Sequence, residues 1–246
     1  MVLESFAGAG RIIGALLSRS LRARRTTWGA TTDEATQTFP GDDLVPSPAW
    51  SYTHAVTVAA QPAQVWPWLA QIGQGRGGFY SYQGLENLVG CRIRNTSVVL
   101  DEFTRIEVGD EVKLHPRAPG LRVVVAQPPR SLVLFGGAEG SPDTSVWGFH
   151  LVDAGDGHTR LIERGHHAHG PGFGSRLMSG PTVLEPISFV MSRKMLLRIA
   201  ELAGSSAPDL PEYHPAVTVT RPYFRAQPGA APANSRSKPT CIRFSG

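Results

Sequence analysis

Residues Trp66 to Asn87, WPWLAQIGQGRGGFYSYQGLEN, form the densest aromatic and glycine segment of this 246-residue chain, and their reading decides the fold. Trp66, Trp68, Phe79, Tyr80 and Tyr82 share it with Gln71, Gln74, Arg76 and Glu86. That mixture suits a cavity wall, with broad apolar area and a few polar groups to fix orientation. Just upstream, Gln61-Pro62 opens a helix, because proline's missing N–H has no intrahelical partner at the first helical position anyway. Val65, Leu69 and Ile72 fall on one face, and Pro67 removes the bond to the Ala63 carbonyl, which kinks or shortens the helix. Gly73–Gly78 ends it in a flexible loop, and Tyr80–Val89 reads as a second short helix. The glycine run follows a helix and lacks Gly-Lys-Ser/Thr, so it reads as the hinge of a portal loop and not as a phosphate loop.

Outward from this segment the periodicity changes. On its N-terminal side, Trp50, Tyr52, His54, Val56 and Val58 alternate with Ser51, Thr53, Ala55 and Thr57, which is a strand. On its C-terminal side the chain reads as strands and turns: Val112 and Leu114, Leu121–Val125, Ser131–Phe135, Val146–Val152 and Thr159–Arg164. Links this short imply an antiparallel meander. Residues 165–181, rich in Gly, Pro and His, read as a loop. Ile187, Val190, Met191, Met195, Ile199 and Leu202 then trace one face of a helix of about five turns, which Ala203-Gly204 ends.

A strand, two short helices, an antiparallel run and a long C-terminal helix make an α+β helix-grip fold, a curved sheet wrapped around the last helix. Three parts are expected: a basic amphipathic segment at 1–25, the helix-grip domain at 26–204, and a Pro-rich tail at 205–246 read as disordered. Residues 26–49 read as an extended lead-in anchored by Trp28.

The residues also resemble a known group. Trp28-Gly29-Ala30-Thr31, Pro40-Gly41-Asp42-Asp43-Leu44-Val45-Pro46, Val65-Trp66-Pro67-Trp68-Leu69, Arg76-Gly77-Gly78-Phe79-Tyr80-Ser81-Tyr82, Leu85-Glu86-Asn87-Leu88 and Phe189–Leu197 are similar to an actinobacterial branch of the SRPBCC superfamily. That superfamily includes START lipid-transfer domains, polyketide cyclases and plant pathogenesis-related ligand binders. The resemblance covers roughly residues 26–204 and implies the fold strongly and the chemistry weakly. Relatives often carry Asp-Trp where this chain has Gln83-Gly84, and His where it has Arg94.

Composition narrows the partners. Hydrophobic residues at 41% and charged residues at 18% describe a globular protein. The formal net charge of +4 belongs to the ends: residues 1–25 carry five arginines against Glu4, residues 205–246 carry a further excess, and the part between is net negative. Binding of nucleic acid by the core is therefore not expected. Cys91 and Cys241 read as free thiols in a reducing, cytoplasmic setting. The apolar run Ile12–Leu17 is far shorter than the roughly 20 residues a bilayer span needs. Residues 1–25 therefore read as a docking helix or as a peripheral contact with the inner face of the membrane. Oligomeric state is left open.

His166, His167 and His169 lie near Glu163, but adjacent side chains point to opposite sides of the chain, and neither a metal nor another cofactor is expected. The expected ligand is small and mostly hydrophobic, lipid- or polyketide-like. Its apolar walls would be Trp66, Trp68, Phe79, Tyr80, Tyr82, Trp147, Phe149 and Met191; Gln71, Gln74, Arg76, His150 and Arg164 would orient it. Arg76 either pairs with Glu86 or points at a ligand carboxylate or carbonyl. The alternative function is a cyclase- or dehydratase-like enzyme using His54, His150, Tyr80 or Glu86 as acid or base. No nucleophile–base pair stands at diagnostic spacing.

Overall fold

A computed structural model describes residues 2–138 and 140–205, apart from the side chains of Val2, Arg19 and Met178. The tail expected at 205–246, Cys241 included, lies outside the described residues except for Ser205. The helices are α1 (Val2–Leu17), α2 (Arg22–Thr26), α3 (Thr32–Thr36), α4 (Pro62–Ala70), α5 (Gln83–Leu88), α6 (Phe173–Ser179) and α7 (Leu184–Ser205). The strands are β1 (Trp50–Val58), β2 (Glu111–Val112), β3 (Leu121–Gln127), β4 (Ser131–Gly136), β5 (Thr144–Gly155) and β6 (His158–Ala168). They form one antiparallel sheet in the order β1-β6-β5-β4-β3-β2, so the first strand joins the last and the meander completes the other edge. Register shifts between Val123 and Val125 and between Asp153 and Gly155 bend the sheet. The fold is α+β and helix-grip, with α7 packed on the concave face.

Three expectations need correcting. The lead-in at 26–49 is not extended throughout: Thr32–Thr36 is helical, opened by a capping box between Thr31 and Glu34. Residues 165–181 are not a loop: β6 continues to Ala168 and Phe173–Ser179 is helical. Gly165 made the segment look unstructured, yet a Cβ there would stand 2.1 Å from the Tyr52 ring, so glycine is required by a ring lying across the strand. The Gly73–Gly78 run is not an open hinge either. Gly73 and Gly78 exchange backbone hydrogen bonds at 3.0 and 3.1 Å, and Gly77 N–H donates to the Gln71 carbonyl at 2.7 Å. The positive φ values of Gly73, Gly75 and Gly78 let the chain close on itself.

Both sheet faces are covered. Inside, Val56, Val58, Leu134, Phe149, Leu151 and Leu161 pack with α4 and with Met195, Leu196 and Ile199 of α7. Outside, the lead-in lies on β6, β5 and β4: Val45 packs on Val133 and Val146, and Phe39 stacks on His150 with centroids 4.5 Å apart. Arg160 pairs with Glu34, while Arg164 and His166 both meet Asp42. Trp28 packs edge-on to His54 and Phe189, under the Arg193 guanidinium.

The N-terminal segment belongs to this structure. Ala15 and Ile12 of α1 pack with Tyr82, Leu85, Val190 and Met191. After α2, Arg25 makes a bidentate pair with Glu185 of α7, Nε to Oε1 at 2.9 Å and an Nη to Oε2 at 3.0 Å, and both residues are buried. No helix among the described residues is long and apolar enough to cross a membrane.

Candidate functional site

Helix α7 does not fill the concave face. Between it, β5, β6, α1 and α5 lies a cavity of about 960 Å3. Ile12, Phe79, Leu85, Leu121, Trp147, Ile187, Met191 and Met195 give it an apolar lining. Leu88 and Val89, exposed at the end of α5, and Ile13 of α1 also line it.

A polar cluster is set into this apolar space. Glu163 is fully buried (0%) in the middle of β6, on the inward face because it alternates with the outward Arg164. Its Oε1 accepts hydrogen bonds from Trp147 Nε1 at 2.7 Å, Ser192 Oγ at 2.8 Å and Tyr52 Oη at 3.3 Å. Its Oε2 stands 3.1 Å from His54 Nδ1. The other nitrogen, His54 Nε2, is 3.0 Å from the Arg25 carbonyl. A carbonyl only accepts, so Nε2 carries a proton and the Nδ1 side of the ring faces the carboxylate. Burial, and then the Glu163 charge, push the Tyr52 phenol well above its ordinary value, so it remains a donor. With that many partners, the carboxylate is held at low cost despite its burial.

The second carboxylate of the cavity is different. Glu86 of α5 is only 8% exposed, and its Oε2 is buried with no hydrogen-bond partner. Desolvation pushes its pKa from 4.5 up to about 7. Cys91 lines the same wall, and its thiol is pushed up by burial and then by the Glu86 charge.

Of the expected site residues, Phe79, Trp147, Met191 and Glu86 come together in the cavity. Trp66, Trp68 and Phe149 are core. Gln71 is buried as a bracket: its amide donates to Tyr80 Oη at 2.8 Å and accepts from Leu100 N–H at 2.8 Å. Tyr80 has φ of 55° and donates to the Trp68 carbonyl at 3.1 Å. Gln74 accepts from Arg92 N–H at 3.3 Å. Arg76 forms no pair with Glu86; it donates to the Ala70 carbonyl at 2.9 Å at the end of α4 and lies over the Phe103 ring. Burial lowers its pKa. Tyr82 accepts from Arg11 at 2.5 Å and faces a separate polar cleft of about 590 Å3, which Gln83 and Gly84 also line. Gly84 therefore lines that cleft and not the apolar cavity.

His150 and Arg164 are on the outer face, where β-strand alternation sends them under the lead-in. His150 meets Ser131 Oγ at 3.1 Å, and burial lowers its pKa to about 4. His54 is inward but lies behind Tyr52 and Glu163, stacked on Tyr52 at 4.5 Å. The three histidines of 166–169 diverge: His166 meets Ser51 and Asp42, His167 stacks on Trp50 at the cavity, and His169, just past β6, faces the Gly170 carbonyl. Among the described residues no three His, Cys, Asp or Glu side chains converge as metal ligands.

Tyr52, Glu163 and Ser192 were missed as site residues. Glu163 stands at an inward position between Leu161 and Gly165, and a charge in that register was the available signal.

No protein-family model matches the chain, and no curated protein matches it. Among solved structures, it is similar to norcoclaurine synthase from Thalictrum flavum (15% identity, 69% of this chain and 95% of that one, TM-score 0.38). It is also similar to protein MLL2253 from Mesorhizobium loti (16%, 62% and 96%, TM-score 0.37) and to PFC0360w, an HSP90 activator from Plasmodium falciparum (13%, 63% and 96%, TM-score 0.39). At such scores these likenesses carry no ligand or reaction over to this chain.

Proposed function

We propose that this protein binds a small, mostly hydrophobic ligand, lipid- or polyketide-like, in the cavity between the sheet and α7. The observation that carries the reading is the cavity itself: about 960 Å3, walled by aliphatic and aromatic side chains, with a few polar groups at fixed positions. Native mass spectrometry of freshly purified protein, followed by solvent extraction, tests it. A co-purifying amphiphile, or saturable binding of an uncharged apolar dye such as Nile red, is expected. Neither in correctly folded protein would refute the reading.

The ligand reaches the cavity from a membrane surface in this proposal, with the protein cytoplasmic and peripheral. The lip of the cavity and the free face of α1 expose Leu3, Phe6, Ile13, Leu17 and Leu88, and Arg22 and Arg24 are exposed beside them. Co-sedimentation with phosphatidylserine vesicles should fall severalfold in a Phe6→Glu/Leu17→Glu variant. Equal binding would remove the membrane from the account.

A second reading, a cyclase- or dehydratase-like enzyme, is favoured by one observation: Glu86 lines the cavity with a pKa of about 7, suited to taking a proton next to a ligand carbonyl. Its test is turnover of an enolisable ketide that falls by orders of magnitude in Glu86→Gln.

A further inference from the structure

The cavity's lining is acidic, and its one histidine, His167, is held neutral by burial, which lowers its pKa to about 4. Among its described lining residues are Glu86, Asp143 and Glu163, and no lysine or arginine. The two arginines expected to meet a ligand carboxylate are engaged elsewhere, Arg76 at the end of α4 and Arg164 on the outer face with Asp42. An anionic head would enter an apolar space lined by carboxylates and by no lysine or arginine among the described residues.

The carboxylates differ in what they still lack. Glu163 has Trp147, Ser192, Tyr52 and His54 around it. Asp143 accepts from Gly170 N–H at 3.1 Å and from the Ser175 hydroxyl. Glu86 is more than nine-tenths buried, faces the cavity, and has an oxygen without a donor. A buried acceptor left unpaired is costly, and a donor carried by the occupant would remove that cost.

We infer that Glu86 is the head-group anchor of the cavity, and that the ligand is an uncharged or cationic amphiphile whose hydroxyl or amine donates to it. The assignment rests on the cavity being a ligand site and narrows which ligands it takes. The tail of such a molecule lies against the apolar lining, Phe79, Leu85, Met191 and Ile12 among it. Carboxylate-headed lipids such as free fatty acids are rejected by the same geometry that holds an amine. This reverses the polarity expected from the arginines of the sequence.

The experiment compares decylamine, decan-1-ol and decanoate by isothermal titration calorimetry on the full chain at pH 8, with wild type and Glu86→Gln side by side. Nile red binding reports the apolar cavity independently. Decylamine and decan-1-ol are expected to bind wild type about tenfold or more tightly than decanoate, and Glu86→Gln to weaken decylamine about tenfold. A near-ultraviolet circular dichroism spectrum of Glu86→Gln that matches wild type shows that the variant folds. Decanoate binding as tightly as decylamine would overturn the inference, as would an unchanged decylamine affinity in Glu86→Gln; Nile red binding would then leave the cavity reading standing. Failure of Nile red and all three amphiphiles to bind wild type would overturn both.

Discussion

Replacing Glu86 by glutamine removes a buried negative charge with almost no change in shape, and its effect on stability must depend on pH in a definite direction. The carboxyl has a folded pKa of about 7 against an ordinary 4.5, because burial disfavours its charged form and no donor offsets that loss. At about 1.4 kcal/mol for each tenfold, the gap corresponds to roughly 3 kcal/mol. Between those two pH values the folded state binds more protons than the unfolded one, so this group's contribution is present below pH 4.5 and is lost as pH rises through 7. The wild-type profile alone does not isolate the effect. His150 and His167, both pushed down to about 4 by burial, run the opposite way: their contribution is full above pH 6.5 and is lost as pH falls through 4. The difference between variant and wild type cancels the histidines. Urea denaturation at half-unit steps from pH 5 to pH 8.5 should show Glu86→Gln gaining on wild type by roughly 2–3 kcal/mol across the range, most of it below pH 7.5. A difference flat to within 0.5 kcal/mol, on the order of ordinary measurement error, would mean that Glu86 is solvated or paired, and the anchor inferred above would go with it.

Breaking the buried Arg25–Glu185 pair with Arg25→Met should cost about 3–5 kcal/mol by urea denaturation, since Glu185 keeps its charge without a partner; a loss below 1 kcal/mol would place the pair in water. Trp147→Phe withdraws one donor from Glu163 and should cost about 1–3 kcal/mol, with the urea slope unchanged. The imidazole of His150 should titrate at about pH 4 by NMR, and titration near 6.5 would show that the lead-in does not cover it. Gly165→Ala should destabilise the protein and displace the Tyr52 ring, visible as a near-ultraviolet circular dichroism change; an unchanged spectrum would contradict the packing of that ring on β6.

What the sequence determined by itself is local in origin. Alternation at Trp50–Val58, the proline-opened helix at Pro62, and the helical stripe from Ile187 to Leu202 each follow from side chains a few residues apart, and together they specify the helix-grip order. Of the aromatic segment Trp66–Asn87, Trp66, Trp68 and Tyr80 are core, Gln71 and Arg76 bond to neighbouring backbone, and only Phe79 and Glu86 of the residues proposed from it line the cavity. The tertiary structure decided which face of each strand is inside. An alternating pattern says that two faces differ, and it is symmetrical with respect to which one meets a ligand. Here the lead-in covers the outer face as well, so both faces of β1 and β6 are buried and the usual polar-outward cue disappears. Alternation does not fix the direction of His150 and Arg164 for that reason, and Glu163, weighed only beside the histidines, was not taken as a cavity residue for the same one. The charge of the cavity also exists only in three dimensions, because Glu86 and Glu163 are 77 residues apart in the chain and share one space only once α5 and β6 have closed against α7.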